Sequence, residues 1–251
     1  MGGILGLTSD RNLSAHMLHG LAQLAGDPAD AYGVALLTPA ANASQAPRLR
    51  RLGSTEGLDA LNQHLRVMDP LSEVNTAIAH TQGRADGAVP NHCLPRFSQG
   101  PKALITAPAR TAVVFMGPLL NAPELRAVLA QRFYALRSHA ESECMAHIID
   151  ATHQGDAAQA VQRALALVQG PYALAVLFQG QAQRIIGACS GLPLWLGLGP
   201  TFVGLSSDPI AFPAETQQLL RVQDGSLVDI QGLSFQIWGS LGSPSPKHTA
   251  S

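Results

Sequence analysis

A few side chains in this sequence could do chemistry, and their spacing limits what each could do. Glu143 and His147 lie four residues apart, with Glu141 nearby and Cys144 adjacent. On a helix that spacing puts a carboxylate and an imidazole on one face, as a transition metal would need. Cys93 stands in a stretch without periodicity. A thiol there could attack a substrate only as the thiolate, which needs a base or a positive neighbour. No His–Asp partner for it is recognisable, so Cys93 reads as a loop thiol. Cys144 and Cys189 fall inside apolar helix and strand patterns and read as core. Three cysteines without a CxxC pair make no disulfide framework and fit a reducing compartment. His16 and His19, three apart on a helix, read as one polar edge beside Met17 and Leu21.

The elements that would position these groups follow from hydrophobic periodicity. Ile4 to Leu7 reads as a buried strand, Ser9 to Asn12 as a turn. A helix follows whose Leu13, Met17, Leu21 and Leu24 share one face, and Gly26-Asp27-Pro28 stops it. Tyr32 to Thr38 and Arg48 to Gly53 are strand-like, Leu58 to Leu65 helical, and Thr76 to Thr81 strand-like. Gln82 to Gly100 loses all periodicity and reads as a long loop. Ala112 to Gly117 is an apolar run fit for an inner strand. Helices are predicted for Pro123 to Phe133, entered through Asn121, and for Glu141 to Asp150 and Asp156 to Val168. A train of short strands follows: Tyr172 to Phe178, Arg184 to Cys189, Leu194 to Leu198, Phe202 to Leu205, Leu219 to Val222, Ser226 to Ile230 and Ser234 to Ile237. Gly or Pro punctuates nearly every junction, as in an antiparallel meander. Residues 239–251 are predicted to be a disordered, Ser-, Pro- and Gly-rich tail. Strands at both ends with helices between predict stacked α and β layers in one domain, residues 2–238.

Bulk properties exclude several functions. The 251 residues are 46% hydrophobic and 13% charged, enough to bury a sizeable core. A formal net charge of −1 gives no footprint for nucleic acid or an anionic membrane. The basic cluster of Arg48, Arg50 and Arg51 reads as a solvated strand edge. No stretch approaches the roughly 20 apolar residues that span a bilayer, and the first residues make no signal peptide. A cytoplasmic protein is expected.

Read in order, the segments resemble the glutaminase domain of glucosamine-6-phosphate synthase and its class II amidotransferase relatives. Met1-Gly2-Gly3-Ile4-Leu5-Gly6 is similar to the family's Met-Cys-Gly-Ile-Val-Gly. Gly20 to Leu24 through Asp30 and Gly33 matches its helix and Arg-Gly-Tyr-Asp-Ser-Ala-Gly, and His80-Thr81-Gln82 stands for His-Thr-Arg. Val114-Phe115-Met116-Gly117 stands for Val-His-Asn-Gly, with Leu125-Arg126 behind it. Ser138 to Glu143, then Ala146-His147, resembles Ser-Glu-Thr-Asp-Thr-Glu and its helix. Gly170-Pro171-Tyr172, Ser190 to Leu194, Gly197-Leu198-Gly199, Ser206-Ser207-Asp208 and Asp224-Gly225 complete the series. The resemblance implies an α+β fold, a four-layer αββα sandwich of the N-terminal-nucleophile hydrolase type with mostly antiparallel sheets.

In that family an N-terminal Cys, exposed by removal of Met, attacks the glutamine amide with its own α-amine as base. An Asn and a backbone N–H hold the oxyanion, and an Arg and an Asp clamp the substrate's carboxylate and ammonium. Here the nucleophile's position is Gly2. The Arg of the Arg-Gly-Tyr-Asp motif corresponds to Asp27 and the carboxylate-binding Arg to Gln82. The oxyanion Asn corresponds to Met116, with Gly117 keeping the backbone donor, and the ammonium-binding Asp to Glu141. The loop after Gln82 reads Gly83-Arg84-Ala85-Asp86-Gly87. The family's Glu and His on the Glu143–His147 helix hold no metal, so no metal and no cofactor are expected. The resemblance thus implies a catalytically inactive relative that serves as a binding or regulatory subunit. The alternative is an active glutaminase subunit supplying ammonia for amino-sugar synthesis. The implied partners are a separate synthase or phosphosugar isomerase-type protein and a small ligand other than glutamine, with oligomers also open.

Overall fold

The computed structural model describes residues 2–26, 31–38, 47–67, 74–82, 95–104, 106–239 and 248–249. The described elements are β1 (Ile4–Ser9), α1 (Ser14–Leu24), β2 (Ala31–Thr38), β3 (Arg48–Ser54), α2 (Leu58–Val67), β4 (Thr76–Gln82), β5 (Arg96–Ser98) and β6 (Thr111–Met116). They continue with α3 (Ala122–Gln131), α4 (Glu141–Thr152), α5 (Ala157–Leu165), β7 (Tyr172–Phe178), β8 (Arg184–Ser190), β9 (Trp195–Leu198) and β10 (Phe202–Ser206). Last come β11 (Gln218–Arg221), β12 (Leu227–Gln231), β13 (Ser234–Trp238) and β14 (His248–Thr249).

Successive strand side chains point to opposite faces, and here both faces are buried. In β1, Leu5 and Leu7 pack with Leu13, Met17 and Leu21 of the first helix region and Leu61 and Leu65 of α2. Ile4 turns the other way, into a core shared with the opposite sheet. In β7, Leu174, Val176 and Phe178 meet α4 and α5, while Ala173, Ala175 and Leu177 enter that same shared core. Three cores between four layers make the αββα sandwich. One sheet runs β11-β9-β10-β1-β4-β2-β3, the other β14-β13-β12-β8-β7-β6-β5. Gly20 lets α1 lie close on its sheet, because a Cβ there would come within 2.5 Å of Leu5 Cδ2 and 2.6 Å of the Ala211 carbonyl oxygen.

The structure corrects the sequence reading in four places. The strand train is not one meander: β9, β10 and β11 belong to the sheet of β1, while β7, β8, β12 and β13 form the other. The expected loop from Gln82 to Gly100 contains β5, three residues paired with β6 and too short to show a period. Residues 83–94 lie outside the described residues. In the expected tail, His248 and Thr249 pair with β13, and the His248 ring stacks on Phe235 at 5.3 Å. Finally, α3 stops at Gln131 because Phe133 takes a left-handed backbone, φ 62°. The Tyr134 N–H then donates to the Leu129 carbonyl, closing the helix end.

The arginine-rich strand β3 is a sheet edge, as expected, with Arg48, Arg50 and Arg51 exposed. Arg51 also lies over the Phe97 ring. No helix among the described residues is long and apolar enough to cross a membrane.

Candidate functional site

Strand β1 sits inside its sheet, antiparallel to β10 on one side and β4 on the other. The Gly3 N–H donates to Thr81 Oγ1 at 2.9 Å, and the Thr81 N–H donates to the Gly3 carbonyl at 2.9 Å. On the other side the Ile4 N–H donates to Ser207 Oγ at 3.1 Å. These bonds fix residue 2 beside the end of β4. Gly2, His80 and Gln82 face the end of β6 (Phe115, Met116, Gly117) and the start of α4 (Ala140, Glu141, Ser142) across a cleft of about 230 Å³. The positions drawn from the sequence therefore meet at one place: Gly2, Gln82, Met116, Gly117 and Glu141 all line this cleft. Asp27 lies outside the described residues, as do Gly83 to Gly87 and Cys93.

Residue 2 has no room for a side chain. A Cβ built on Gly2 runs into the Thr81 carbonyl oxygen and lies 3.2 Å from His80 Nε2. Gly117 is fixed by its backbone, φ +117°, and a Cβ there would strike the Pro171 carbonyl oxygen. Met116 is half-buried and packs at the edge of the shared core. Gln82 Oε1 is buried and has no hydrogen-bond partner among the described residues. Glu141 is half-buried in the first turn of α4, where its Oε1 accepts the Leu119 N–H at 3.1 Å. Arg126 steadies the approach to that turn by donating to the carbonyls of Ser138 and Ala140. Burial of the His80 ring pushes its pKa down to about 4, so the ring is neutral at physiological pH.

The spacing that suggested a metal serves separate networks instead. Glu143 accepts the backbone N–H groups of Arg137 and Ser138 and the Ser138 hydroxyl. The Nδ1 of His147 meets Ser98 Oγ at 2.9 Å, and burial lowers the pKa of this ring. Among the described residues no three His, Cys, Asp or Glu side chains are grouped to hold a metal. Cys144 and Cys189 are buried, and burial pushes both thiols up to about 11, so neither is a thiolate at neutral pH. On the outer side of α1, His16 pairs with Glu215 at 2.7 Å.

Sequence reasoning missed two features. His80 quoted as part of a motif is also a cleft residue, and the signal was its place two residues before Gln82, which sets both on one strand face. The second is Asp150, buried on α4, which accepts from Ser98 Oγ and the Tyr134 hydroxyl at 3.0 and 2.9 Å and pairs with Arg110. A carboxylate three residues beyond His147, on the apolar side of a helix, was the available sign.

Comparison with known proteins gives a consistent result. A model of the glutamine amidotransferase domain matches residues 94–221. The glutamine–fructose-6-phosphate aminotransferase (isomerizing) of Bordetella pertussis is 33% identical over 232 residues, covering 92% of this chain and 36% of that protein. The enzyme of the same name from Pseudomonas putida is 30% identical over 252 residues, covering 99% of this chain and 38% of that protein. The chain thus spans little more than a third of the length of these curated relatives. The glutamine phosphoribosylpyrophosphate amidotransferase of B. subtilis superposes with a TM-score of 0.71 at 18% identity, covering 99% of this chain and 49% of that chain. A glutamine aminotransferase class-II domain protein from Silicibacter pomeroyi gives 0.55 at 13% identity, covering 99% and 98%. At such identities the two solved structures speak to the fold alone.

Proposed function

This chain belongs to the class II glutamine amidotransferase domain family, and from that premise we propose that it does not hydrolyse glutamine and serves as a binding protein instead. The observation that carries the proposal is at residue 2. The family's chemistry needs a thiolate there, whereas this chain has Gly2, and the Thr81 carbonyl oxygen fills the place a Cβ would take. Three further positions support the reading. Met116 offers no polar hydrogen to an oxyanion, and Gln82 offers no permanent charge to a carboxylate. Asp27, in the sequence, reverses the charge of the arginine it replaces. What remains of the chemistry is the Gly117 backbone and the acid of Glu141.

We propose a binding or regulatory subunit whose partner is a separate protein of the synthase or phosphosugar-isomerase kind. The support is that the curated relatives carry the name glutamine–fructose-6-phosphate aminotransferase (isomerizing). A second reading, an active glutaminase subunit, is favoured by family membership and by the Gly117 and Glu141 pair. Ammonia release from glutamine by the purified protein decides between them. None above the uncatalysed background is expected, and sustained turnover would establish the active reading instead.

A further inference from the structure

Away from the cleft, one junction combines backbone strain, an exposed ring and unbalanced charge. Among the described residues only Lys102, Phe133 and Gln183 take a left-handed backbone without being glycine, and the first two meet. The Lys102 N–H donates to the Phe133 carbonyl at 2.8 Å, and Lys102 Nζ stands over the Phe133 ring, 4.5 Å from its centre. Phe133 sits just past the end of α3, where a left-handed residue closes a helix. Glycine fits that place at no steric cost, whereas a bulky side chain does not. Burial could compensate a phenylalanine there, yet this ring is 63% exposed. The turn alone therefore does not account for the residue. Phe133 is also the one aromatic among the exposed large apolar side chains of the described residues. Leu104, 75% exposed, lies two residues after Lys102 and so within about 7 Å of it, Cα to Cα.

The charge at this junction is positive. The Arg110 guanidinium lies over Gly100, with its Nη1 2.8 Å from where a Cβ would stand. The loop from Gly100 to Leu104 thus starts beside Arg110 and is tied at Lys102 to the end of α3. The charged groups that act on the adjacent Tyr134 are Asp150, Arg110 and Arg132. Asp150 is buried, and Arg110 meets its charge at 3.0 Å. Lys102 and Arg132 are exposed and make no ion pair among the described residues. Two uncompensated cations therefore stand beside an exposed ring and an exposed leucine. Covering the ring and the leucine would remove apolar surface from water, and the cations would select an acidic partner. One such patch on a chain of net charge −1 lacks the second anchor that stable membrane attachment needs, so a protein segment suits it better than a lipid surface.

We propose that this junction docks an extended acidic segment of a partner protein, with one large apolar side chain set among its acids. That side chain packs on Phe133 and Leu104, and the carboxylates around it pair with Lys102 and Arg132. The hydrogen bond between residues 102 and 133 holds ring and ammonium in place beforehand, so little freedom is lost on binding. The site is separate from the cleft. Arg110 precedes β6 and Gly117 follows it, about 20 Å away along the strand. Docking here holds whether or not the chain hydrolyses glutamine.

The test is an amide NMR titration of the full chain at neutral pH. Four acetylated hexapeptide amides each carry Phe at one of the inner positions and Glu elsewhere. Two controls replace Phe by Ser or every Glu by Gln. At least one Phe–Glu peptide is expected to saturate below about 1 mM, with shifts centred on Lys102, Leu104, Arg132 and Phe133. It should bind about tenfold more tightly than either control. Phe133→Gly should weaken it by about tenfold, while the unfolding temperature stays level or rises as the left-handed strain is relieved. Lys102→Glu combined with Arg132→Glu should abolish binding. The proposal is overturned if no Phe–Glu peptide saturates below about 1 mM, if a control binds as tightly, or if either variant binds unchanged. A fall of more than about 4 °C in the unfolding temperature of Phe133→Gly would also overturn it, since the ring would then serve the fold. So would vesicles of phosphatidylcholine and phosphatidylserine that retain the wild type but not Phe133→Gly, because the patch would then be a membrane surface. Ammonia release from glutamine, measured on the same preparation, bears on the glutaminase question alone.

Discussion

Installing the nucleophile is the most direct perturbation of this cleft, and Gly2→Cys is expected to lower stability without giving glutaminase activity. The added Cβ would occupy the place of the Thr81 carbonyl oxygen, 3.0 Å from the Thr81 carbonyl carbon and 3.2 Å from His80 Nε2. Thr81 cannot easily yield. Its strand is paired on both sides, with β1 and β2, and its N–H and hydroxyl are both bonded to Gly3. Residue 2 must therefore move, at the expense of one or both Gly3–Thr81 hydrogen bonds, or the crowding must be absorbed. Either route costs about 1–3 kcal/mol. In a domain of this size 1 kcal/mol shifts the unfolding temperature by about 2–4 °C, so a drop of about 2–12 °C is expected.

The new thiol would still face Met116 where an oxyanion donor is needed, a deficit of about 2.7–4 kcal/mol in the transition state. Gln82 would bring no fixed charge of its own to the substrate carboxylate. The assay is ammonia release from glutamine, run beside thermal unfolding and alkylation of the new thiol under native conditions. Turnover well above wild type, with an unchanged unfolding temperature, would refute the steric and the chemical argument together.

Three other outcomes are expected. His80 has a folded pKa of about 4 against an ordinary 6.5, so its contribution is complete above pH 6.5 and is lost as the pH falls toward 4. The loss is about 1–2 kcal/mol after allowance for partial exposure. Urea midpoints of the wild type should fall more steeply than those of His80→Gln over that window, and parallel curves would contradict the assignment. Arg184 donates to both carboxylate oxygens of the buried Asp229, at 2.9 and 2.7 Å. Arg184→Leu should therefore cost about 3–5 kcal/mol by urea unfolding, with Asp229→Leu added to it recovering part of the loss. Ser98→Ala removes the hydroxyl between His147 Nδ1 and Asp150 Oδ2. It should cost about 1–3 kcal/mol in the same measurement, whereas a change of a few tenths would mean that other groups satisfy both partners.

Much of the layer structure was legible because burial on two faces leaves continuous apolar runs, as in Tyr172 to Phe178, while helices such as α1 keep one apolar stripe. Which sheet a strand joins was not legible. Leu194 to Leu198 and Ser226 to Ile230 look alike in sequence, yet the first pairs with β10 and the second with β8. The difference lies in the chain's crossing between sheets after Ser190, which no residue pattern there announces. β5 and β14 were missed because two or three residues carry no period. The cleft positions were found through motif order, since Gly2, Gln82, Met116 and Glu141 come from four separate segments that periodicity alone cannot bring together. The crowding at Gly2 depends on the position of another strand's carbonyl, so it belongs to the structure alone.

Stability and cleft chemistry draw on different residues here. None of Gly2, Gln82 and Glu141 belongs to the three cores, and Met116 touches one of them only at its edge. Under the proposed function, side chains at such positions can change while the packed layers stay intact. The reverse step is not symmetrical. With glycine at residue 2, the backbone stands where a Cβ would run into the Thr81 carbonyl oxygen, and the Gly3–Thr81 hydrogen bonds hold it there. Restoring a nucleophile then has to work against the sheet itself as well as refill the oxyanion and carboxylate positions. Under the proposed function, that asymmetry is what separates this cleft from an enzyme's by more than one substitution.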